Sequence, residues 1–581
     1  MTSEIGLRRS ELPEGIPSSR IYAALVLLWC RQAGVNTVCI APGSRSTPLT
    51  LCAHQMGFRI VSHFDERGLA FFALGMAKQL DEPVAVICTS GSAVANLIPA
   101  SVEAFQTGVP LVFLTGDRPP ELQGCGANQS IAQAELMSTC TLAHGTVPPF
   151  EPVRRLPELF EQIQHMLRHI PFGPIHINMM FREPFYPDSD PSQGMPVEFL
   201  AELSGLRFEP RPVWAEPDEL ISADLLLAAQ KANRAVIVAL DGCASAEASI
   251  RKLQRRLSAL VVADIQSGLA GSGGVVEGMD AKLREPAFLE FLRGADFVLQ
   301  LGSRPVSKPL SLWLASLPSG VLRVIAADKE PTCLGRNAIW HWRVPVEAAL
   351  QWMASCGQEK LPSEPSMPMF ESSGTPFAAE DNWTEIEWLQ ATQERLLQSG
   401  LEPQWFVGNS LPIRLVDTFS ISRTPGNHSG WPVKANRGAS GIDGLIATLA
   451  GIASASENPV LGLIGDLSAL HDLNSLALLS RCTTPWVLVI VNNDGGGIFN
   501  WLPIPESEEL RALYQTPHGC QFRDAAALFG LSYKTMKPSP EAVEALCEAM
   551  HSGKPMLIEL TVNAECCYHR WQQRLTPKKS E

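Results

Sequence analysis

The chain has 581 residues, of which 45% are hydrophobic and 18% are charged, and its formal net charge is −14. A chain of this length is too long to fold around a single hydrophobic core, so three or four domains are expected. The acidic balance and the lack of a long Lys/Arg run argue against a nucleic-acid partner.

The first part of the chain alternates between helical patterns and short apolar runs. A helix is predicted over residues 21–31, and strands are predicted at 37–40, 84–87, 111–114 and 174–178. Most of the strands open onto segments rich in Gly, Ser and Thr. This pattern is typical of a doubly wound sheet, in which ligands bind beyond the strand ends. Residues 1–195 are therefore predicted to form the first α/β domain.

A second α/β domain is predicted over residues 210–360, after a Pro-rich acidic linker at 190–215. Its strands are expected at 235–240, 260–264, 297–301 and 322–326. The glycine cluster at 271–274 follows no clear strand and does not match G-x-G-x-x-G, so neither FAD nor NAD is expected there. Residues 361–382 are dense in Pro, Ser and Gly and are predicted to be a linker.

The third domain, predicted over residues 383–581, carries the most informative motif. An apolar run at 460–464 ends in Gly465-Asp466, and a second at 487–491 ends in Asn492-Asn493-Asp494-Gly495. Two such runs around a helical pattern form a βαβ unit, whose strands deliver their ends to one edge of the sheet. A carboxylate and an amide oxygen there suit Mg²⁺, with phosphate oxygens completing the octahedron. The other interpretation is a helix cap at Asp466 and turn residues at 492–493.

Several segments together resemble a known family. The pattern at 465–495 is similar to the diphosphate-binding motif of thiamine diphosphate (ThDP) enzymes. The segments at 41–49, 63–68, 114–120, 126–129, 408–414 and 436–444 extend the match. As a set they resemble the 2-succinyl-5-enolpyruvyl-6-hydroxy-3-cyclohexene-1-carboxylate (SEPHCHC) synthases of menaquinone and phylloquinone biosynthesis. The resemblance implies three doubly wound, mostly parallel-sheet α/β domains. In the middle domain it rests mainly on residues 303–308, and Pro309 departs from the basic residue of some relatives.

The resemblance also implies a reaction and its cofactors. The expected cofactors are ThDP and Mg²⁺, with Mn²⁺ as an alternative metal. The expected reaction is decarboxylation of 2-oxoglutarate and addition of the resulting succinyl carbanion to isochorismate. In such enzymes the cofactor is the electron sink, and the protein supplies position and field.

The residues expected in the site follow from the same resemblance. The metal ligands are Asp466, Asn493 and the Gly495 carbonyl. The cofactor contacts are Glu66, Ser440, Ile442, Gly465, Asp466, Leu467, Ser468, Asn493, Gly495 and Ile498. The catalytic and substrate-binding residues are Glu66, Ser44, Arg45, Arg118, Asn128, Gln129, Lys308, Ser410, Arg414, Arg437 and Phe499.

Simpler interpretations remain open for several of these residues. Ile442 is a branched apolar residue of the kind that packs in a core, and Phe499 suits a core or a pocket wall equally. The arginines and Lys308 are each compatible with a surface position. Glu66 and Asp65 suit the positive end of a helix predicted over 69–79. The resemblance instead makes Glu66 the carboxyl that hydrogen-bonds the pyrimidine N1′ of ThDP, a role that needs apolar surroundings such as Phe64.

Two other functions compete with the one that the resemblance implies. The first is another ThDP decarboxylase or carboligase, similar to acetolactate synthase, whose smaller and less anionic acceptors would not need so many arginines. The second is a ThDP-binding scaffold without catalysis, which predicts that Glu66 or the arginines are lost. Neither loss has occurred in this chain.

Location and assembly are expectations of the same kind. Fourteen cysteines lack a repeated C-x₂-C pattern, the first ten residues lack an apolar signal core, and no apolar run reaches membrane-spanning length. Reduced, buried cysteines in a cytoplasmic enzyme are expected. The resemblance implies a homodimer or homotetramer with active sites at subunit interfaces.

Overall fold

The structure is a computed structural model that describes residues 18–149, 156–185, 229, 231–327, 339–342, 344–355, 383–423, 430–502 and 507–576. Both predicted linkers, at 190–215 and 361–382, lie outside the described residues. In these ranges no helix combines the length and the apolar character that crossing a bilayer requires.

The first sheet has six parallel strands in the order β2-β1-β3-β4-β6-β5. Its strands are β1 (Thr37–Ile40), β2 (Arg59–Ser62), β3 (Val84–Cys88), β4 (Leu111–Asp117), β5 (Ala143–Val147) and β6 (Ile175–Met180). The helices of this part are α1 (Ser18–Gln32), α2 (Thr47–Gln55), α3 (Glu66–Leu80), α4 (Ser92–Thr107), α5 (Gln133–Ser138) and α6 (Leu156–Leu167). β1, β3 and β4 are buried along their whole length, as expected for parallel strands covered on both faces.

The second sheet has five parallel strands in the order β11-β10-β9-β7-β8. Its strands are β7 (Ala235–Ala239), β8 (Leu260–Ala263), β9 (Phe297–Leu301), β10 (Leu322–Ala326) and β11 (Ile339–Trp342). The accompanying helices are α7 (Glu247–Leu257), α8 (Met279–Lys282), α9 (Pro286–Arg293), α10 (Lys308–Ala315) and α11 (Val346–Ser355).

The third sheet has six parallel strands in the order β13-β12-β14-β15-β17-β16. Its strands are β12 (Gln404–Val407), β13 (Val433–Lys434), β14 (Val460–Gly465), β15 (Trp486–Asn492), β16 (Ser532–Met536) and β17 (Met556–Thr561). The helices are α12 (Glu385–Ser399), α13 (Leu411–Phe419), α14 (Leu445–Ala455), α15 (Asp466–His471), α16 (Leu476–Leu479), α17 (Glu508–Gln515), α18 (Arg523–Leu528), α19 (Pro540–Ser552) and α20 (Ala564–Leu575). Numbered within each sheet, the first and third sheets share one strand order, 2-1-3-4-6-5, as an ancient duplication would produce.

The expected fold class is confirmed, because three parallel α/β sheets are present. Some predicted boundaries are wrong. β4 continues through Thr115, Gly116 and Asp117, which the sequence analysis assigned to a loop. α3 begins at Glu66 rather than at residue 69, so Glu66 is the first residue of the helix.

The contacts of the chain divide it into two compact units. Among the described residues, the first comprises 18–149, 156–185, 443–455 and 474–482, and the second comprises the others. Within the first unit, α14 packs closely along α3. A β-carbon at Gly75 would lie 2.1 Å from the Thr448 carbonyl oxygen, and one at Gly451 would lie 2.0 Å from that of Phe72. Glycine is needed at both positions because the two helix backbones approach each other directly.

Candidate active site

The carboxyl ends of two neighbouring strands form the centre of the candidate site. β14 and β15 pair in parallel with Gly465 opposite Val491, so that Asp466 and Asn493 follow the strands at the same edge. Asp466 is the first residue of α15 and is only 2% exposed. A buried carboxylate requires several donors or a cation.

Backbone donors hold the Asp466 carboxylate in one orientation. Its Oδ2 accepts hydrogen bonds from the backbone N–H groups of Asn493, at 3.0 Å, and Gly495, at 2.9 Å. Its Oδ1 accepts one from Leu467 at 2.7 Å. A carboxylate oxygen has about two acceptor positions. Oδ2 is therefore filled, and Oδ1 keeps one position for a metal ion.

The two neighbouring asparagines have different environments. The side-chain NH₂ of Asn492 donates to Glu559 Oε1 at 2.8 Å and to the Cys520 carbonyl at 3.0 Å. Asn492 thus fits the interpretation as a structural turn residue. By contrast, the Oδ1 atom of Asn493 is buried and has no hydrogen-bond partner among the described residues. Because buried acceptors are normally paired, this oxygen fits a ligand that the protein chain itself does not provide.

The glycines that follow Asn493 are required by close contacts. Gly495 has a φ of +131°, and a β-carbon there would lie 2.1 Å from the Gln515 carbonyl oxygen. A β-carbon at Gly497 would lie 2.5 Å from Asn493 Nδ2. Gly497 therefore leaves room for the Asn493 side chain, and Gly495 leaves room for the backbone at Gln515.

These observations fit the metal and diphosphate that the sequence predicts. No cluster of three or more His, Cys, Asp or Glu side chains suited to a metal occurs in the part of the chain that the structure describes. The candidate donors are instead one carboxylate, one amide oxygen and a backbone carbonyl. Such a set suits Mg²⁺, which usually takes one or two carboxylates and completes its octahedron with phosphate and water.

A cavity of about 270 Å³ adjoins this edge of the sheet. Ten residues singled out from the sequence line it: Ser410, Ile442, Gly465, Asp466, Leu467, Ser468, Asn493, Gly495, Ile498 and Phe499. Ile442 is 41% exposed, so the interpretation as a core residue is wrong. Phe499 forms part of the cavity wall, with its ring 5.3 Å from that of Tyr514.

One wall of the cavity was not foreseen from the sequence. It contains Glu385, Cys567, Trp571 and Trp501. Trp571 donates to Glu385 Oε1 at 2.9 Å, and the Cys567 thiol also bonds this carboxylate. Burial raises the pKa of Glu385. A capping box at Thr384 and Glu387 marks the start of α12 in the sequence, but no local pattern links this helix end to α20.

Two arginines of the third domain are held close to the cavity. Arg437 Nη1 donates to Oδ1 of Asn409, a cavity-lining residue, at 3.0 Å. Arg414 Nη1 donates to the carbonyl of Ser410 at 2.6 Å. Burial lowers the pKa of Arg414, an effect that the charge of Asp280 opposes. Both side chains are half-buried, which distinguishes them from free surface cations.

The basic residue that the second α/β domain brings close to Arg437 is not the one expected from the sequence. Lys308 is exposed at the start of α10 and does not line the cavity. Arg304, which was not singled out, donates from Nη1 to the Gly438 carbonyl at 2.6 Å. Arg304 thus reaches the residue next to Arg437, and it stands in the same short segment as Lys308.

A separate cluster forms at the strand ends of the first sheet. Arg45 follows β1, is 8% exposed, and donates to the Phe181 carbonyl at 2.9 Å. Arg118 follows β4, is 9% exposed, bonds the Ser90 hydroxyl, and donates to Gln129 Oε1 at 3.1 Å. Burial, and then the charge of Arg118, lower the pKa of Arg45. These two guanidinium groups are buried, so the surface interpretation is wrong for them.

The other expected residues of this cluster are more open. Ser44, Asn128 and Gln129 are exposed, and Gln129 has a φ of +56°. Ser90, which was not among the expected site residues, is fully buried against Arg118. Glu66 is half-buried at the start of α3.

Comparisons with known proteins agree with this architecture. The model for "Thiamine pyrophosphate enzyme, N-terminal TPP binding domain" matches residues 21–137. "Middle domain of thiamine pyrophosphate" matches 215–327, and the corresponding C-terminal TPP binding domain matches 434–560. Thiamine pyrophosphate is another name for ThDP.

Two solved structures show the same fold. A benzoylformate decarboxylase from Polynucleobacter necessarius superimposes with a TM-score of 0.67 at 15% identity, covering 94% of this chain and 99% of that one. A ThDP-dependent 4-hydroxybenzoylformate decarboxylase from Rhodococcus jostii RHA1 gives 0.68 at 21% identity, covering 93% and 99%. At these identities the likeness concerns the fold alone.

Relatives of higher identity share a single name. The 2-succinyl-5-enolpyruvyl-6-hydroxy-3-cyclohexene-1-carboxylate synthase of Shewanella halifaxensis is 37% identical over 553 residues, which are 93% of this chain and 95% of the relative. The protein of the same name from Shewanella oneidensis is 36% identical over 556 residues, or 94% and 95%. The chain therefore belongs to the SEPHCHC synthase family and is a ThDP-dependent enzyme.

Proposed function

We propose that the protein decarboxylates 2-oxoglutarate and transfers the succinyl unit to isochorismate, releasing CO₂ and forming SEPHCHC for menaquinone or phylloquinone biosynthesis. The observation that carries this proposal is the extensive identity to relatives named for that product. Bound ThDP supplies the electron sink that decarboxylation requires. The protein supplies the contacts that hold and orient cofactor and substrates.

The proposed cofactor contacts follow from the third sheet. Asp466 Oδ1, Asn493 Oδ1 and the Gly495 carbonyl would hold Mg²⁺, with Mn²⁺ as a possible substitute. The diphosphate would be surrounded by Gly465, Leu467, Ser468 and Ile498. Other parts of the cofactor would be contacted by Ser440 and Ile442. The unpaired buried oxygen of Asn493 supports this assignment.

The proposed substrate contacts are mainly arginines. Both substrates are dicarboxylates, and planar guanidinium groups bind carboxylates through two parallel hydrogen bonds. Arg45, Arg118, Arg414 and Arg437 are proposed for this role, with Ser44, Asn128, Gln129 and Ser410 as neutral partners. Phe499 is proposed as an apolar wall. Lys308 is proposed to act only as a more distant positive charge on the substrates, because its side chain is exposed.

The direct test is CO₂ release from 2-oxoglutarate by the purified protein, with and without isochorismate, ThDP and Mg²⁺. We expect turnover to require all four components and to yield SEPHCHC. Replacing isochorismate with pyruvate tests the alternative of an acetolactate-synthase-like carboligase. Efficient acetolactate formation from pyruvate, without any use of isochorismate, would overturn the proposed substrates.

Arg437→Ala is expected to lower kcat/KM for a dicarboxylate substrate by about ten- to a hundredfold. A charge-assisted hydrogen bond to a charged group contributes on the order of 1.5–3 kcal/mol. Steady-state kinetics should show this loss while calorimetry shows unchanged ThDP affinity, and Arg414→Ala should behave similarly. Arg395→Ala is the matched control, because Arg395 forms an exposed ion pair with Glu544. Control-like kinetics in both test variants would contradict the substrate role.

The same proposal includes assembly and location. We infer a homodimer or homotetramer in which the Glu66 region of one subunit contacts ThDP held by Asp466 of its neighbour. Phe64 is 62% exposed and Ile442 is 41% exposed in the single chain, which supports their burial by a second subunit. The described cysteines are all free thiols, consistent with the reducing cytoplasm proposed as its location.

Complementation tests the shared site. A mixture of inactive Glu66→Gln and Asp466→Ala chains should regain activity after subunit exchange, because some interfacial sites then carry neither substitution. Each variant refolded alone is the control and should stay inactive. Full activity from a monomer, established by sedimentation at assay concentration, would contradict the shared site.

A further inference from the structure

His518 lies in the loop between α17 and α18, behind the carboxylate proposed to bind metal. Its Nε2 atom is 3.3 Å from Asp466 Oδ2. This nitrogen is buried and has no hydrogen-bond partner among the described residues. His518 is absent from the residues that line the cavity. It therefore contacts Asp466 without being part of the cavity wall.

Hydrogen bonds determine which ring nitrogen of His518 carries the proton. The backbone N–H of Cys520 donates to Nδ1 at 2.9 Å, so Nδ1 acts as an acceptor. In a neutral imidazole the other nitrogen is then the donor. The N–H group of His518 is consequently at Nε2, on the side of Asp466.

The loop that carries His518 is tied to the residues on either side of Asn493. Asp494 Oδ1 accepts from the backbone N–H groups of His518, at 3.0 Å, and Gly519, at 2.7 Å. The Cys520 carbonyl accepts from Asn492 Nδ2 at 3.0 Å, and Asn492 is in turn bonded to Glu559 at 2.8 Å. The loop that carries the imidazole is therefore hydrogen-bonded to both chain neighbours of the proposed ligand Asn493.

We propose that His518 is a positioning residue for the metal site, an inference that rests on the proposed function. Its Nε2–H group lies 3.3 Å from Asp466 Oδ2. Because Oδ2 already accepts two backbone N–H groups, the imidazole acts on it through its dipole and not as a third hydrogen bond, and Oδ1 is left for the metal ion. Partners of this kind orient a ligand and raise metal affinity, and their removal typically weakens metal binding by about 10–100-fold. His518 contacts neither substrate nor cofactor in this arrangement.

The test compares His518→Leu, His518→Gln and His569→Leu in the full-length protein at saturating ThDP. Leucine removes the donor, and glutamine carries an NH₂ group at a similar distance from the backbone. His569→Leu is the matched control, since His569 is exposed on α20. Calorimetric titration with MgCl₂ measures metal affinity, and kinetics at limiting and saturating Mg²⁺ separate affinity from kcat.

We expect His518→Leu to weaken Mg²⁺ binding by about 10–100-fold, with kcat recovering to within about twofold at saturating Mg²⁺. His518→Gln should restore most of the affinity, and His569→Leu should match the unmodified protein. Unchanged Mg²⁺ affinity in His518→Leu would overturn the proposal. So would a kcat that stays low at saturating Mg²⁺, because that result assigns His518 to the diphosphate or to the chemistry.

Failure of the proposed function would look different. In that case the unmodified protein itself would bind Mg²⁺ without any dependence on ThDP, and Asp466→Asn would not alter the titration. The unmodified protein is therefore titrated first. If its Mg²⁺ binding depends on ThDP, the affinities of the His518 variants are then compared with it.

Discussion

Asp466→Ala is expected to abolish activity through loss of the metal and the diphosphate. No neutral side chain provides a field equal to that of a carboxylate bound to Mg²⁺. Calorimetry should show the collapse of ThDP affinity in the presence of Mg²⁺. Unaltered ThDP binding in this variant would remove the basis of the proposed cofactor site.

The hydrogen bonds of Asp466 require a second variant. Alanine also leaves the N–H groups of Leu467, Asn493 and Gly495 without their acceptor. An unsatisfied buried donor costs about 1–3 kcal/mol, so the melting temperature of the cofactor-free protein is expected to fall. Asp466→Asn retains an acceptor oxygen and removes only the charge. It should therefore lose ThDP affinity with a smaller change in stability.

A surface variant is the control for Asp466→Ala and Asp466→Asn. Asp524→Ala removes an exposed carboxylate in the first turn of α18 and should leave both ThDP affinity and the melting temperature nearly unchanged. If Asp466→Asn bound ThDP as well as this control, the charge of Asp466 would not be needed for the site.

The central strands of each sheet could be predicted because they are apolar along their length. β1, β3, β9 and β10 match their predicted positions within one residue. Five strands that carry polar or small residues were missed, and all of them lie at the edges of the sheets: β2, β5, β11, β13 and β16. β2 and β16 are largely exposed, so no apolar run marks them. β12, an inner strand of only four residues, was missed as well.

The metal motif was visible in the sequence because it depends on two strand ends within one βαβ unit. The resemblance selected Asn493 over Asn492, but the bond that occupies Asn492 could not be predicted, because it is made with Glu559, a buried residue of β17. His518, Glu385 and Arg304 were missed for a similar reason. Each reaches the site through contacts between segments far apart in the chain, and none stands in a motif with a local physical signature.

Two adjacent carboxylates, Asp65 and Glu66, have different roles at the start of α3. Asp65 is the helix N-cap, and its Oδ1 accepts from the backbone N–H groups of Arg67, at 2.9 Å, and Gly68, at 3.4 Å. Its Oδ2 accepts from Asn474 at 2.5 Å. Glu66 is the first helical residue, and its charge adds to burial in raising the pKa of the Cys88 thiol at the end of β3. The capping function thus belongs to Asp65.

The apolar surroundings expected for Glu66 are only partly present in the single chain. Leu69, Phe71 and Phe72 are buried in the core, whereas Phe64 is 62% exposed and does not enclose the carboxyl. In the single chain Phe64 therefore does not supply apolar cover for Glu66. In the proposed dimer the neighbouring subunit would provide the missing cover.

Glu66→Gln is expected to preserve the fold and most of the ThDP affinity, yet to slow proton exchange at C2 of bound ThDP by about 10²–10⁴-fold. In the proposed role the Glu66 carboxyl would exchange a proton with the pyrimidine N1′, which an amide could not do. Deuterium exchange followed by NMR after acid quench measures the rate. Asp65→Asn is the matched control, because asparagine caps helices as well as aspartate does and should leave the exchange rate nearly unchanged. Replacing Oδ2 removes the acceptor of Asn474, so only the melting temperature should fall slightly. Equal, mild losses in the two variants would mean that charge at the helix end accounts for both residues and that another group activates the cofactor.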